Sequence, residues 1–424
     1  MMTISRRMKT SSQAFLYILT FLLFSEQSLL ADTLSVASNL AISNITTAVC
    51  RAENGDVIIV HAGFYQEGNI LINKKLDIIG IDLPVVDGGG SNEVFTILAD
   101  SVNLSGFQVQ NCGVSFVKDL AGIKVEHHGF CRIENNRLID TFFGIYLKNA
   151  HHCIVRNNFI EGQAKDEFSS GNAIHIWYSK NILVERNTCR QHRDGIYFEF
   201  VENSTITGNT SEKNLRYGLH FMFSNNDDYI KNTFRDNGAG VAVMFSHHIR
   251  MYENLFEKNW GSNAYGLLLK DIVDGEIRGN TFNENTVGIF ADGSNRIRME
   301  NNEFINNGWA LKILGSCSDN VITGNNFQSN TFDVITNNST NYNNYDGNFW
   351  SDYTGYDLDR DGSGDVPYKP VKLFSLVTGR VPSSIILLRS PFVGLLNFAE
   401  KVMPAITPQT LEDRSPQMHQ ILFK

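Results

Sequence analysis

A small residue followed by alternating apolar positions recurs along most of the chain, and this repeat sets the architecture. Runs of five or six residues start at Gly144, Ala173, Gly195, Gly218, Gly240, Gly266, Gly288 and Ala310, at intervals of 29, 22, 23, 22, 26, 22 and 22 residues. Alternation with period two is the mark of a strand with one buried face. A second marker keeps the same beat: Asn136, Asn157, Asn187, Asn209, Asn232, Asn254, Asn280, Asn302 and Asn325. Two markers with one period describe one unit stacked many times. A unit of about 22 residues is too short for a helix pair and fits one coil of a parallel β-helix, so the pattern predicts an all-β solenoid with loop insertions in two coils. The Asn is expected at a coil corner, where it tolerates a left-handed backbone and its amide bonds the equivalent Asn of the next coil. Shorter apolar runs at 56–60, 69–72, 76–79 and 102–105 extend the solenoid toward the N-terminus. An amphipathic helix within 38–53, on Leu40, Ile45, Val49 and Ala52, is expected to cap its first coil.

Residues two and four places after each start share one face of the strand and form two columns. The first reads Lys124, Tyr146, His175, Tyr197, His220, Ala242, Leu268, Phe290, Lys312, and the second Glu126, Lys148, Trp177, Glu199, Met222, Met244, Lys270, Asp292, Leu314. Both are expected on the outside, as an apolar and aromatic strip with His and Met interleaved, which marks a binding face. A glycosidase with two carboxylates needs them about 5 to 9.5 Å apart. Glu126, Glu199 and Asp292 are the column carboxylates, and at ~4.8 Å per coil the nearest two stand about 14 Å apart. The strip therefore carries no such pair, and the protein reads as a non-enzyme. Loop residues Asp166 and Glu167 keep a carbohydrate-binding or carbohydrate-active β-helix as the alternative.

Met222 and Met244 stand one coil apart, His220 lies two residues before Met222, and His175 is two coils earlier in the column of His220. Thioether with imidazole suits copper(I) and suits hard cations poorly. The plainer reading of the same residues is a Met-bearing patch for another protein. The pairs His127–His128, His151–His152 and His247–His248 fall at coil corners and read first as solvent-facing turn residues.

The ends of the chain differ from its middle. Residues 1–31 read as a secretory signal, with Arg6, Arg7 and Lys9 before the apolar run 14–24 and Ala31 at the cleavage point. Beyond it no other run of about 18 apolar residues occurs, so the mature chain is not expected to span a membrane. The net charge is −9 and the Lys and Arg are scattered, without the basic stripe that nucleic acid requires. None of the six cysteines has metal-ligand spacing, and Cys131 and Cys153 read as stacked core residues rather than a disulfide. The solenoid is expected over 32–345. Seven of the eight prolines then fall between Pro367 and Pro416, in an extension over 346–424. That extension opens with Asp357, Asp359, Asp361 and Asp365, alternating carboxylates around a Gly that resemble an oxygen-ligated calcium loop, although Tyr368 stands where a bidentate Glu is expected. Farther on, Leu395, Phe398 and Val402 recur at helical spacing as an apolar stripe that must find cover.

The run from Gly347 through Trp350-Ser-Asp-Tyr353 and the Asp loop to Tyr368, followed by Leu387-Leu-Arg-Ser-Pro391 and Ala399-Glu-Lys, closely resembles the NosD family, the periplasmic maturation factors of nitrous oxide reductase. Ala62-Gly-Phe-Tyr-Gln-Glu67, Asp87-Gly-Gly-Gly90 and the Asn repeat extend the resemblance over essentially the whole mature chain. The resemblance implies a right-handed parallel β-helix in the periplasm that is not an enzyme. It also implies docking on the membrane and ATPase subunits of an ABC transporter, peripheral to the membrane. The assembly would supply copper to apo nitrous oxide reductase from a copper lipoprotein chaperone. No short copper motif of the family carries over residue by residue.

Overall fold

The computed structural model describes residues 31–115, 118–338, 342–403 and 411–423. The expected signal segment, apart from Ala31, and the prolines Pro404 and Pro408 lie outside the described residues. Each coil gives one short strand to each of three parallel sheets of 12, 14 and 13 strands, here sheets I, II and III. One coil shows the order: Phe143–Lys148 in sheet I, Ile154–Arg156 in sheet II, Phe159–Glu161 in sheet III. The small-residue starts are the strands of sheet I.

Side chains between the three sheets are apolar and fully buried, as Ile145, Leu147, Val155 and Ile160 are in that coil. Equivalent residues stack coil on coil. Phe234, Phe256, Phe282, Phe304, Phe327 and Trp350 form one such pile, with successive ring centroids 5.5, 4.6, 4.9, 4.8 and 4.1 Å apart. Cys131 and Cys153 sit in the same kind of stack as buried free thiols, and only Cys50 is an exposed cysteine.

The Asn corner between sheets II and III is a hydrogen-bonded ladder, and one assignment from sequence is corrected. Its member in the second coil is Asn158, not Asn157: the Asn158 Nδ2 donates to Asn187 Oδ1 at 3.0 Å, and Asn136 donates to Asn158 Oδ1 at 3.2 Å. The coil with the insertion is 29 residues long, so Asn187 aligns with Asn158. The left-handed residue is the one before the ladder, with φ of 57° at Asn135, 53° at Asn157 and 52° at Arg186. The ladder Asn therefore serves through its buried amide rather than through backbone tolerance. Each Nδ2 also donates to a backbone carbonyl of sheet II, for Asn187 to Val155 O at 2.8 Å.

Both ends of the solenoid are covered. The N-terminal cap α1 (Ile45–Arg51) is shorter than the segment 38–53, because Asn44 starts it by accepting from Thr47 N and Glu67 accepts from Ile45 N and Thr46 N. Ile45, Ala48 and Val49 are the face it buries. At the other end the coils continue through Tyr342–Asp346 and Phe349–Trp350. The tail then returns over the last coil, where Asp413, fully buried, accepts from Gly347 N, Asn348 N, Asn348 Nδ2 and Trp350 Nε1 at 2.9 to 3.1 Å. Between these points lie α2 (Leu373–Arg380), a 3-10 turn (Pro382–Leu387) and α3 (Pro391–Val402). Among the described residues no helix is long and apolar enough to cross a membrane.

Candidate functional site

Sheet I carries both columns in the register read from the sequence. His175 pairs with Tyr197, Tyr197 with His220, and His220 with Ala242. Glu199 pairs with Met222, Met222 with Met244, and Met244 with Lys270. Phe221, between His220 and Met222, points inward and is fully buried.

The expected exposure of the first column is corrected: Tyr146 is 3 % and His220 6 % exposed, and Ala242 and Leu268 are buried. A third column, one residue before each start, covers it. Phe143, Asp194, Tyr217 and Ala239 belong to it, with Asp194 paired to Tyr217 and Tyr217 to Ala239. The Tyr217 ring lies 4.9 Å from that of His220, and Phe143 lies 4.7 Å from His175. Aromatic side chains of this size shield a neighbour on the same face from water. The signal for this column is Asp194, a charged residue at a position held in other coils by Phe143, Asn172, Tyr217 and Ala239.

Asp194 is fully buried and held by Arg216, whose Nε and Nη2 donate to Oδ1 and Oδ2 at 2.9 and 2.5 Å. Burial alone would raise this carboxyl, but His220 and Arg216 beside it outweigh that and keep its pKa below the ordinary value. The His220 Nδ1 stands 3.9 Å from Asp194 Oδ2, beyond hydrogen-bond reach, and neither ring nitrogen of His220 has a hydrogen-bond partner. A buried imidazole with both nitrogens unused is costly unless a ligand meets one of them.

Of the four residues placed in one metal group from sequence, His220 and Met222 stand two apart on one strand and Met244 pairs with Met222 on the next. Both methionines are half-buried. His175 does not join them. The Tyr197 ring sits between the two imidazoles, 4.7 Å from His175 and 5.1 Å from His220. Burial pushes the His175 imidazolium down to about pKa 3, so the ring is neutral, and its Nδ1 is engaged by the Asn172 amide at 2.9 Å. Imidazole with thioethers is a soft set. The column carboxylates stay apart: Glu126 is paired with Lys148 Nζ at 2.7 Å, Glu199 accepts from Tyr197 OH at 3.3 Å and Asp292 accepts from Ser316 Oγ at 3.0 Å.

In the extension, ligand atoms of Asp357, Asp359 and Asp361 lie within 4.8 Å of one another, the arrangement that alternating carboxylates give. Asp365 stands outside this group, because its Oδ2 accepts from Leu358 N at 2.6 Å. Asp357 is itself used by the turn, accepting from Arg360 N and Gly362 N at 2.6 and 2.9 Å. The His pairs lie at coil corners, His128 Nδ1 at 3.1 Å from Asp100 and His247 Nδ1 at 2.8 Å from His248 Nδ1.

Residues 157–355 match the family described as "Periplasmic copper-binding protein (NosD)". A protein of Pseudomonas aeruginosa named "Probable ABC transporter binding protein NosD" is 30 % identical over 409 residues, covering 84 % of this chain and 87 % of its own. A protein of the same name from Stutzerimonas stutzeri is 27 % identical over 416 residues, covering 94 % and 95 %. Among solved structures, the A-module of the Azotobacter vinelandii mannuronan C-5 epimerase AlgE6 superposes with a TM-score of 0.55 at 12 % identity, over 74 % of this chain and 96 % of that one. A family 28 exopolygalacturonase of Yersinia enterocolitica gives 0.50 at 9 % identity, over 72 % and 76 %. Likeness at that identity concerns the parallel β-helix alone. By 30 % identity over most of both chains, this chain belongs to the NosD family, described as periplasmic copper-binding proteins.

Proposed function

We propose that this protein is a periplasmic accessory factor, not an enzyme, that carries copper(I) as cargo. It works with the membrane and ATPase subunits of an ABC transporter and supplies apo nitrous oxide reductase, with a copper lipoprotein chaperone as donor. The observation that carries the reading is a pair of thioethers at paired positions on neighbouring strands, with, two residues before the first, a buried imidazole whose nitrogens make no hydrogen bond. Such a set retains Cu(I), and its outward side remains open for an acceptor's ligand. The family description and the names of the two relatives support the copper and the transporter halves of the reading respectively.

Replacing Met222 and Met244 together by Leu nearly conserves volume. The variant is expected to fold as wild type, to bind Cu(I) at least tenfold more weakly and to load less copper into apo-reductase. Equal binding and loading would reduce the methionines to a docking patch. Calcium in the Asp357, Asp359 and Asp361 turn belongs to the same proposal, as a structural ion of the extension. A melting temperature unmoved between millimolar calcium and chelator would remove it.

The transporter contact is assigned to α3. Its Phe392, Leu395, Phe398 and Val402 form one stripe and are 59, 68, 64 and 69 % exposed, while Val393 on the other side packs inward. A stripe left this bare on a helix that cannot cross a bilayer suits a partner's surface. Changing the four stripe residues to Ser should leave the solenoid's melting unchanged and abolish co-purification with the transporter. Retained co-purification would place the contact elsewhere.

A further inference from the structure

Asp194 is a fully buried carboxylate at a place where other coils close with Phe143, Tyr217 or Ala239. The solenoid therefore needs no charge there. A buried ion pair is often no more stabilising than apolar residues of the same volume, so the fold alone does not account for Asp194 and its Arg216. What Asp194 faces is His220, one coil on, whose Nδ1 stands 3.9 Å from Asp194 Oδ2.

The two carboxylate oxygens are unequally used. Oδ1 accepts from Arg216 Nε at 2.9 Å and from Tyr217 N at 3.3 Å. Oδ2 accepts from Arg216 Nη2 alone, since Arg193 Nε stays 3.8 Å away while its Nη2 donates to Asn172 Oδ1 at 3.2 Å. A carboxylate offers about four lone-pair sites, so Oδ2 keeps capacity for another donor. The imidazole is confined beside it, between the rings of Tyr197 and Tyr217 at 5.1 and 4.9 Å, on a strand paired on both sides.

A neutral imidazole carries one N–H and one lone pair, on different nitrogens. Both nitrogens of His220 are buried without a partner. A lone pair on Nδ1 would point at negative charge, so the carboxylate favours the proton on Nδ1 and leaves the lone pair on Nε2. A shift of about 1 Å turns the 3.9 Å approach into an ordinary hydrogen bond. A carboxylate on the far nitrogen of a metal-binding imidazole fixes both its tautomer and its orientation.

We propose that Asp194, held by Arg216, is the positioning residue of the copper group: it accepts from Nδ1–H of His220 and so makes Nε2 the ligand atom. This rests on the copper reading above. Asp194 holds the ring and does not ligate.

The first measurement is made before any copper is added. In copper-free protein labelled with 15N-histidine, at about pH 8.5 and so above the ordinary imidazole pKa of about 6.5, long-range proton–nitrogen spectra distinguish the two tautomers. The His220 signals, among those of 11 histidines, are the ones lost in His220→Gln. Wild type should carry the proton on Nδ1, and Asp194→Asn should move it wholly or partly to Nε2. In competition with bathocuproine disulfonate, Asp194→Asn should bind Cu(I) about 10- to 100-fold more weakly. Asp194→Glu, which keeps the carboxylate, should recover affinity. A wild-type ring protonated on Nε2 overturns the proposal without any variant. An Asn variant that melts lower but keeps the wild-type tautomer and Cu(I) affinity also overturns it, by reducing Asp194 to a structural residue. The copper reading fails by a different result, a double Met→Leu variant that binds Cu(I) as tightly as wild type.

Discussion

At the scale of single residues, orientation on the strand decides whether a side chain supports the fold or the site. Phe221 is inward and its ring stacks 4.4 Å from that of Tyr229, while its neighbours His220 and Met222 face the other way. Phe221→Asp would bury an unpaired carboxylate, at a cost of several kcal/mol against a typical stability of about 5–15 kcal/mol. The variant is expected to lose the folded-state circular dichroism signal at a temperature where wild type keeps it; a wild-type melting curve would show that the strand faces are assigned backward. Period-two alternation made this orientation legible in the sequence, because it depends only on the strand itself. The choice between Asn157 and Asn158 was less legible. In an Asn-Asn doublet one residue turns the backbone and the other enters the ladder, and only the 29-residue alignment with Asn187 separates them.

At the scale of elements, the Asn ladder has a direction. Every Nδ2 from Asn136 to Asn325 donates to the Oδ1 of the next ladder Asn toward the C-terminus, so the amide dipoles align and their positive end faces the last coil. Asn348 there donates to the carboxylate of Asp413, which the returning tail supplies. A negative charge at the positive end of aligned, mutually polarising amides stabilises both ladder and tail. Asp413→Asn sets an amide N–H against donors that need an acceptor, and the penalty should be about 2–3 kcal/mol. Hydrogen exchange at 345–350 should speed up markedly in this variant while the central coils stay protected; equal exchange would mean that the tail does not close the solenoid. Nothing in the local pattern around Asp413 announced this role, because its partners lie some 65 residues earlier in the chain. The third column of sheet I escaped notice for a different reason. It lies at the strand entrance, where alternation breaks and a period of two assigns no face.

At the scale of the whole molecule, a stack of near-identical coils gives one long surface on which chemistry can be placed at about 4.8 Å intervals. On the proposed reading, the methionine pair with His220 and α3 would then be separate stations for ion and transporter. The strip as a whole was visible in the sequence, while the burial of His220 and the isolation of His175 were not, since both depend on rings from neighbouring coils. The central claim is that copper rests on Met222, Met244 and His220, and X-ray absorption at the copper edge of the Cu(I)-loaded protein tests it most directly. The expected spectrum contains two sulfur scatterers and one imidazole nitrogen, with the sulfur contribution gone from whatever copper the double Met→Leu variant retains. A wild-type spectrum of nitrogen and oxygen scatterers alone would contradict the claim.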